Sequence, residues 1–281
     1  MRDPYIEIAN KMNNLSKSQK KVAQYVLDNP NKILFQTVEK LAKEVGVSDS
    51  TVVRFSNAIG YKGYPDLQDQ IQNRMTQMLK TTERIKKNQT IGDTLEEQTI
   101  HYISQDLQNV QGILDNLDLS QLEKIVDSLL SAGKIYIISS RSADAIGIFF
   151  NYYLDLLLGN VTHVKVLETD GEKMLNISQT DVVFAISTAR YTRSTVELFK
   201  YAKEKNACTI ALTDNLSSPL VTYADLALYT KCDFPSFFDS FTAPLSLINL
   251  LLALIARKKE GENTERLEEI EALWSELNIF Y

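Results

Sequence analysis

The sequence predicts two domains: an all-α N-terminal domain, then an α/β three-layer C-terminal domain built on a five-stranded parallel sheet. Three observations carry this. Up to about residue 80, apolar residues recur at helical spacing. From residue 134 onward, short and nearly continuous apolar runs alternate with helical segments, the pattern of parallel strands covered on both faces. Between them lies a polar stretch that reads as a connector. The expected division is 1–80, a linker at 81–92, and 93–281, and 281 residues suffice for two buried cores.

In the first domain residues 4–13 read as a short helix. Ser16 is placed to cap a second helix running to about Asp28, with Val22, Tyr25, Val26 and Leu27 facing inward. Asn29-Pro30 ends it, and a turn at 33–35 leads to Thr37, the cap of the next helix. Residues 38–63, VEKLAKEVGVSDSTVVRFSNAIGYKG, have the spacing of a helix-turn-helix. Leu41, Ala42 and Val45 share one face, Gly46 breaks the helix, and Val47 re-enters the core. Ser48 is placed to cap a second helix, which buries Val52, Phe55 and Ile59. Its outward face carries Ser48, Asp49, Ser50, Thr51, Arg54 and Asn57, short hydroxyls beside an arginine that suit a major groove. The glycine-rich turn 60–65 follows, with Lys62 near the phosphates, and Pro65 opens a helix through about Met78. A double-stranded DNA operator is the expected partner, and Ser48, Ser50, Thr51, Arg54, Asn57 and Lys62 are the expected contacts.

Charge agrees with that division. Residues 1–88 carry 15 Lys and Arg against 9 Asp and Glu, whereas residues 89–281 carry 15 against 27. A basic module on an acidic body touches phosphate with one part only. Lys17, Lys20, Lys21, Lys40 and Lys43 join Arg54 and Lys62 as phosphate-facing candidates.

In the second domain, helices are expected at 95–114 and 119–130. Strands are expected at 134–140, 161–167, 181–187 and 207–213, with a weaker fifth at 225–231. Helical or turn segments at 143–158, 192–205 and 217–223 separate them. Residues 240–256 are apolar nearly all round, so they form either deep core or a subunit interface. A charged amphipathic helix at 264–277 closes the chain. The longest apolar run, 243–256, is too short to span a bilayer, and the N-terminus lacks the apolar core of a signal peptide. Two cysteines, Cys208 and Cys232, suit a reducing compartment. A cytoplasmic protein without a membrane partner is expected. The two histidines, His101 and His163, are read as structural, and no metal, cofactor or catalytic residue is expected.

Residues 47–68, VSDSTVVRFSNAIGYKGYPDLQ, resemble the V-S-x-x-T-V-V-R-F…G-(F/Y)-K-G-(F/Y) signature of RpiR-type bacterial transcription regulators. The order of strands, with hydroxyl-rich loops after the first and third, resembles the SIS (sugar isomerase) domain that such regulators carry. The resemblance spans about Tyr5 to Ile255. It implies a regulator acting as a homo-dimer or homo-tetramer, with residues 240–256 offering an apolar face for assembly. It also implies a small-molecule anionic effector, a phosphorylated sugar or related compound, bound at the strand ends. The chain departs from the family's loops. G-x-G-x-S reads Ile138-Ser139-Ser140-Arg141-Ser142, and S-x-S-G-x-T reads Ser187-Thr188-Ala189-Arg190-Tyr191-Thr192. Ser139, Ser140, Arg141, Ser142, Ser187, Thr188, Arg190 and Thr192 are the expected effector residues, with Arg193 close by. Side-chain guanidinium groups would here replace part of a glycine-lined cradle. The alternatives are a ligand-free SIS domain that only dimerises, and a sugar-phosphate isomerase with Glu172 beside the sugar.

Overall fold

A computed structural model describes residues 4–33, 36–78, 84, 92–165, 167–259 and 263–280. The chain divides into two compact units, one of residues 1–87 together with 215–217 and one of residues 88–214 and 218–281. The linker expected at 81–92 lies outside the described residues except at Arg84 and Gly92.

In the N-terminal unit the helices are α1 (Pro4–Lys11), α2 (Lys17–Asp28), α3 (Val38–Val45), α4 (Asp49–Ala58) and α5 (Tyr64–Met78). Ser16 and Gln19 form a reciprocal capping box at the start of α2, satisfying two orphan donors. Helix α2 ends at Asp28, where Asn29-Pro30 was expected to end it. Asn29 caps α2, and Pro30 opens a further turn, Pro30–Ile33, where its missing N–H costs nothing. Ile8, Val22, Val26, Leu41, Val52, Phe55, Ile59, Leu67 and Ile71 are fully buried in one core. Tyr25 and Leu27, expected inward, are half-buried at its margin.

The C-terminal unit begins with α6 (Leu95–Asn116) and α7 (Leu119–Ser131), capped by a Thr94–Glu97 box and by Asp118. The sheet follows: β1 (Ile135–Ile138), β2 (Val161–Val164), β3 (Val182–Ile186), β4 (Cys208–Thr213) and β5 (Leu226–Tyr229). Its order is β2-β1-β3-β4-β5 and every pairing is parallel. Helices α8 (Asp144–Leu158), α9 (Arg193–Glu204), α10 (Thr242–Lys258) and α11 (Asn263–Glu276) complete the unit. Alternation along each strand sends Ile135, Ile137, Phe184, Ile210 and Leu228 into a core with α7, α8 and α10. Tyr136, Ile138, Val183, Ala185 and Ala211 face the opposite core with Leu198, Phe199 and Ala202 of α9.

In α10, Leu247, Ile248, Leu251 and Ile255 are fully buried in the core they share with the strands, so one face of residues 240–256 is core, while Leu250, Leu252 and Leu254 are half-buried. A different stripe is open. Ile100, Ile103, Leu107 and Leu114, all exposed, fall within a narrow arc of α6. Among the described residues no helix is long and apolar enough to cross a membrane.

Candidate DNA interface and effector site

The turn between α3 and α4 follows its sequence closely. Thr37 caps α3 by accepting from the Lys40 amide, and Gly46 ends it with φ +72°. The Val47 amide then donates to the Ala42 carbonyl, closing the helix end. Ser48 sits at the N-cap of α4 but makes no side-chain cap bond. Its hydroxyl instead pairs with those of Ser50 and Thr51, each at 2.9 Å.

Ser48, Ser50, Arg54, Asn57 and Lys62 are exposed, as are Lys17, Lys20, Lys21, Lys40 and Lys43. Thr51 corrects the expectation. It is buried, because the Ser48 bond and the first turn of α4 draw it beneath the outward face. Arg54 lies back along its own helix, its Nε donating to the Ser50 carbonyl at 3.1 Å and its Nη2 reaching the Ser50 hydroxyl at 3.4 Å. Ser50 thus aims the guanidinium along the N-terminal half of α4. The Lys62 amide donates to Asp66 at 2.8 Å, which pins the turn and leaves the Lys62 side chain exposed. Tyr64 and Gln68, which the sequence reading passed over, brace this turn from inside. Both donate to the carbonyls of Ile33 and Gln36. Burial pushes the Tyr64 phenol up to about 12. The only sequence signal for this brace is the Tyr64 of the G-Y-K-G-Y run.

At the end of β1, Ser139 is fully buried. Its hydroxyl lies 2.7 Å from His163 Nε2 and 3.2 Å from Asp144 Oδ1, and Nε2 is 3.2 Å from the same carboxylate oxygen. A nitrogen facing a carboxylate carries a proton, so Nε2 is the protonated atom of the neutral ring. Burial lowers the pKa of His163, and Asp144 opposes that shift. Gly147 of α8 makes this cluster possible, since a Cβ there would meet Ser139 Oγ at 1.9 Å and His163 Nε2 at 2.8 Å. Ser139 is therefore an internal strut rather than an effector contact. Ser140 is half-buried and bonded to Thr195 of α9 at 2.9 Å, which joins two loops of the site. Arg141 and Ser142 are exposed.

The backbone also corrects the register of this loop. Arg141 has φ +58°, the left-handed form that glycine adopts without strain. The position suited to glycine is thus 141, whereas the register 138–142 placed it at 140. In the second loop Arg190, at φ +65°, occupies the position where S-x-S-G-x-T has its glycine. Two arginines at adjacent parallel strand ends therefore hold glycine-type backbone.

Around Arg190 the loop offers polar groups. Ser187 is buried at the end of β3, and Thr188 and Thr192 are half-buried. Their hydroxyls make no hydrogen bond among the described residues. Thr192 stands at the N-cap of α9 without a side-chain cap bond, leaving that helix start without a side-chain acceptor. Beneath the loop, the Thr213 hydroxyl donates to the Ser187 carbonyl at 2.7 Å. The next residue, Asp214, accepts from the Tyr191 hydroxyl at 2.9 Å and from the Ala189 amide. Burial pushes its carboxyl up to about 6, against the pull of these donors. Glu172 and His101 are exposed on separate elements. Asp214 and Asp144 were missed in the sequence because each is a single carboxylate after an apolar run or before a helix.

Residues 5–78 match the helix-turn-helix domain of the rpiR family, and residues 128–254 match the SIS domain. The chain is 27% identical over 277 residues to an HTH-type transcriptional regulator of Caldanaerobacter subterraneus, covering 95% of each chain. It is also 27% identical over 277 residues to the HTH-type transcriptional regulator HexR of Escherichia coli, covering 94% of this chain and 92% of that one. Among solved structures, the Vibrio vulnificus NanR protein complexed with ManNAc-6P shares the fold at a TM-score of 0.58 and 21% identity, over 98% of both chains. The sugar isomerase domain of an RpiR transcription factor from Sphaerobacter thermophilus aligns with 62% of this chain and 98% of its own, at a TM-score of 0.60 and 24% identity. An rpiR-type helix-turn-helix that presents Arg54 and a SIS sheet that ends in hydroxyl-rich loops lie in one chain, which belongs to the RpiR family of DNA-binding transcriptional regulators.

Proposed function

We propose that this regulator responds to a small anionic metabolite, a phosphorylated sugar or related compound, bound at the ends of β1 and β3. The observation that carries this reading is the 187–192 loop. Its three hydroxyls, unbonded among the described residues, a left-handed Arg190 and the start of α9, where Thr192 makes no side-chain cap bond, converge on one place. The NanR neighbour, which holds ManNAc-6P, supports the choice of a phosphosugar as first probe. The DNA side of the reading rests on exposed Ser48, Ser50, Arg54, Asn57 and Lys62, acting on double-stranded DNA from a homo-dimer or homo-tetramer in the cytoplasm. The working division is a DNA-binding domain at 1–80, a linker at 81–92 and an effector domain at 93–281. The chain acts by binding, without turnover.

A thermal-shift screen of phosphorylated sugars, ManNAc-6P included, against their unphosphorylated partners tests this directly. A ligand that binds only the folded state raises the melting temperature. The expected result is a phosphate-dependent rise that Ser187→Ala and Arg190→Ala each abolish. Silence across the panel, with operator binding intact, would retire the effector in favour of a purely dimerising SIS domain.

A further inference from the structure

We propose that Asp214 is the positioning residue of the effector loop: its ionised carboxylate, at the end of β4, holds residues 187–192 in the form that presents Ser187, Arg190 and Thr192 to an anion. This rests on the reading of that loop as the effector site. Two consecutive residues of β4 and its end supply three tethers. Thr213 takes the Ser187 carbonyl at 2.7 Å, and Asp214 takes the Ala189 amide and the Tyr191 hydroxyl. The tethered positions lie on both sides of residue 190. With 189 and 191 fixed, the intervening residue is confined to a left-handed conformation that an arginine otherwise avoids. Asp214 touches no part of the anion's expected seat; it acts through the loop.

The ionised form matters because the groups that hydrogen-bond Asp214 are all donors: the Tyr191 and Thr213 hydroxyls and the amides of Ala189 and of Asp214 itself. A protonated acid would bring a further hydrogen toward them and give up acceptor capacity. Asp214 is only 5% exposed, and the titratable groups that face it are Tyr191 from the loop, Asp239 from the segment before α10, and the buried Cys232 after β5. Burial, with Asp239 adding like charge, places its titration at about 6, so mild acid neutralises it.

Hydrogen–deuterium exchange of the full chain reads this out without any ligand. Exchange of amides 188–192, corrected for intrinsic rates, should rise by up to about tenfold from pH 7.5 to pH 5.0, where roughly a tenth of Asp214 stays ionised. Asp214→Asn keeps a neutral acceptor and should show the same exchange at both pH values. Tyr191→Phe removes one donor and leaves the carboxylate, so its loop should exchange faster at pH 7.5 and keep the pH response; it also serves if the Asn variant fails to fold. Equal wild-type protection at both pH values would overturn the proposal, as would an undiminished pH response in Asp214→Asn. A second arm adds sulfate, which stays dianionic at both pH values. Its affinity should fall about tenfold at pH 5.0 in the wild type alone. The exchange data judge the tether and the sulfate data judge the effector reading, so each can fail separately.

Discussion

Arg141 and Arg190 share a backbone form that costs an L-residue about 1 kcal/mol, and each sits in a loop where glycine would relieve it. Arg190→Gly removes the strain but adds freedom to the unfolded chain, so stability should stay within about 0.5 kcal/mol in urea melts. Affinity for a phosphorylated probe should nevertheless fall tenfold or more as the guanidinium is lost. Gly147→Ala makes the opposite kind of change. Its new methyl meets Ser139 and His163, and overpacking of that sort should destabilise by about 1–3 kcal/mol. Asp214 adds a pH signature. Its folded pKa of about 6 lies above that of the unfolded chain, so the native state holds the extra proton between about pH 4 and pH 6. Stability from this group is present below that window and lost as pH rises through it. The advantage of Asp214→Asn over wild type should therefore grow from pH 4 to pH 7, to on the order of 2 kcal/mol. His163, whose folded pKa is lowered, works in the other sense, with stability gained as pH rises towards 6.5. At this scale the sequence was least legible. It placed hydroxyls in the loops after β1 and β3, yet nothing in Ser139 or Thr51 announces that its partner, His163 or Ser48, will draw the side chain inward.

Whole elements were far easier to read. The helix-turn-helix was legible because Thr37, Gly46 and the 41, 42, 52, 55, 59 spacing each constrain the backbone locally. The strands were legible because a parallel sheet buried on both faces leaves continuous apolar runs, which solvated strands do not. Their ends were not. Residues 161–167 read as one strand, but β2 stops at Val164 because the Lys165 amide turns to the Asp170 carboxylate, an interaction set by a helical turn that follows. Helix α4 carries its own prediction. Arg54→Ala should weaken operator binding by about 1–3 kcal/mol and broaden base preference if the guanidinium reads a guanine edge. Gel shifts against a randomised site would measure both effects. Loss of affinity with unchanged preference and a shallower salt slope would instead assign Arg54 to phosphate.

At the scale of the whole molecule, the excess of basic residues over 1–88 and of acidic residues over 89–281 favours DNA contact through the first unit. The exposed Ile100, Ile103, Leu107 and Leu114 stripe of α6 is a surface on which assembly should depend. Leu107→Glu should shift sedimentation towards monomer and weaken operator binding, leaving the helix itself intact. A dimer that resists this change would move the interface elsewhere. Paired recognition helices would then sit about 10 base pairs apart, or at a multiple of that spacing, on a roughly palindromic site. The left-handed arginines carry a consequence of another kind. Glycine and arginine codons differ by one base, and here the backbone keeps the glycine shape with arginine in place. If the loops seat an anion as proposed, a single point mutation would exchange a bare amide for a guanidinium without refolding the loop, so such a site could change what it binds while keeping how it folds.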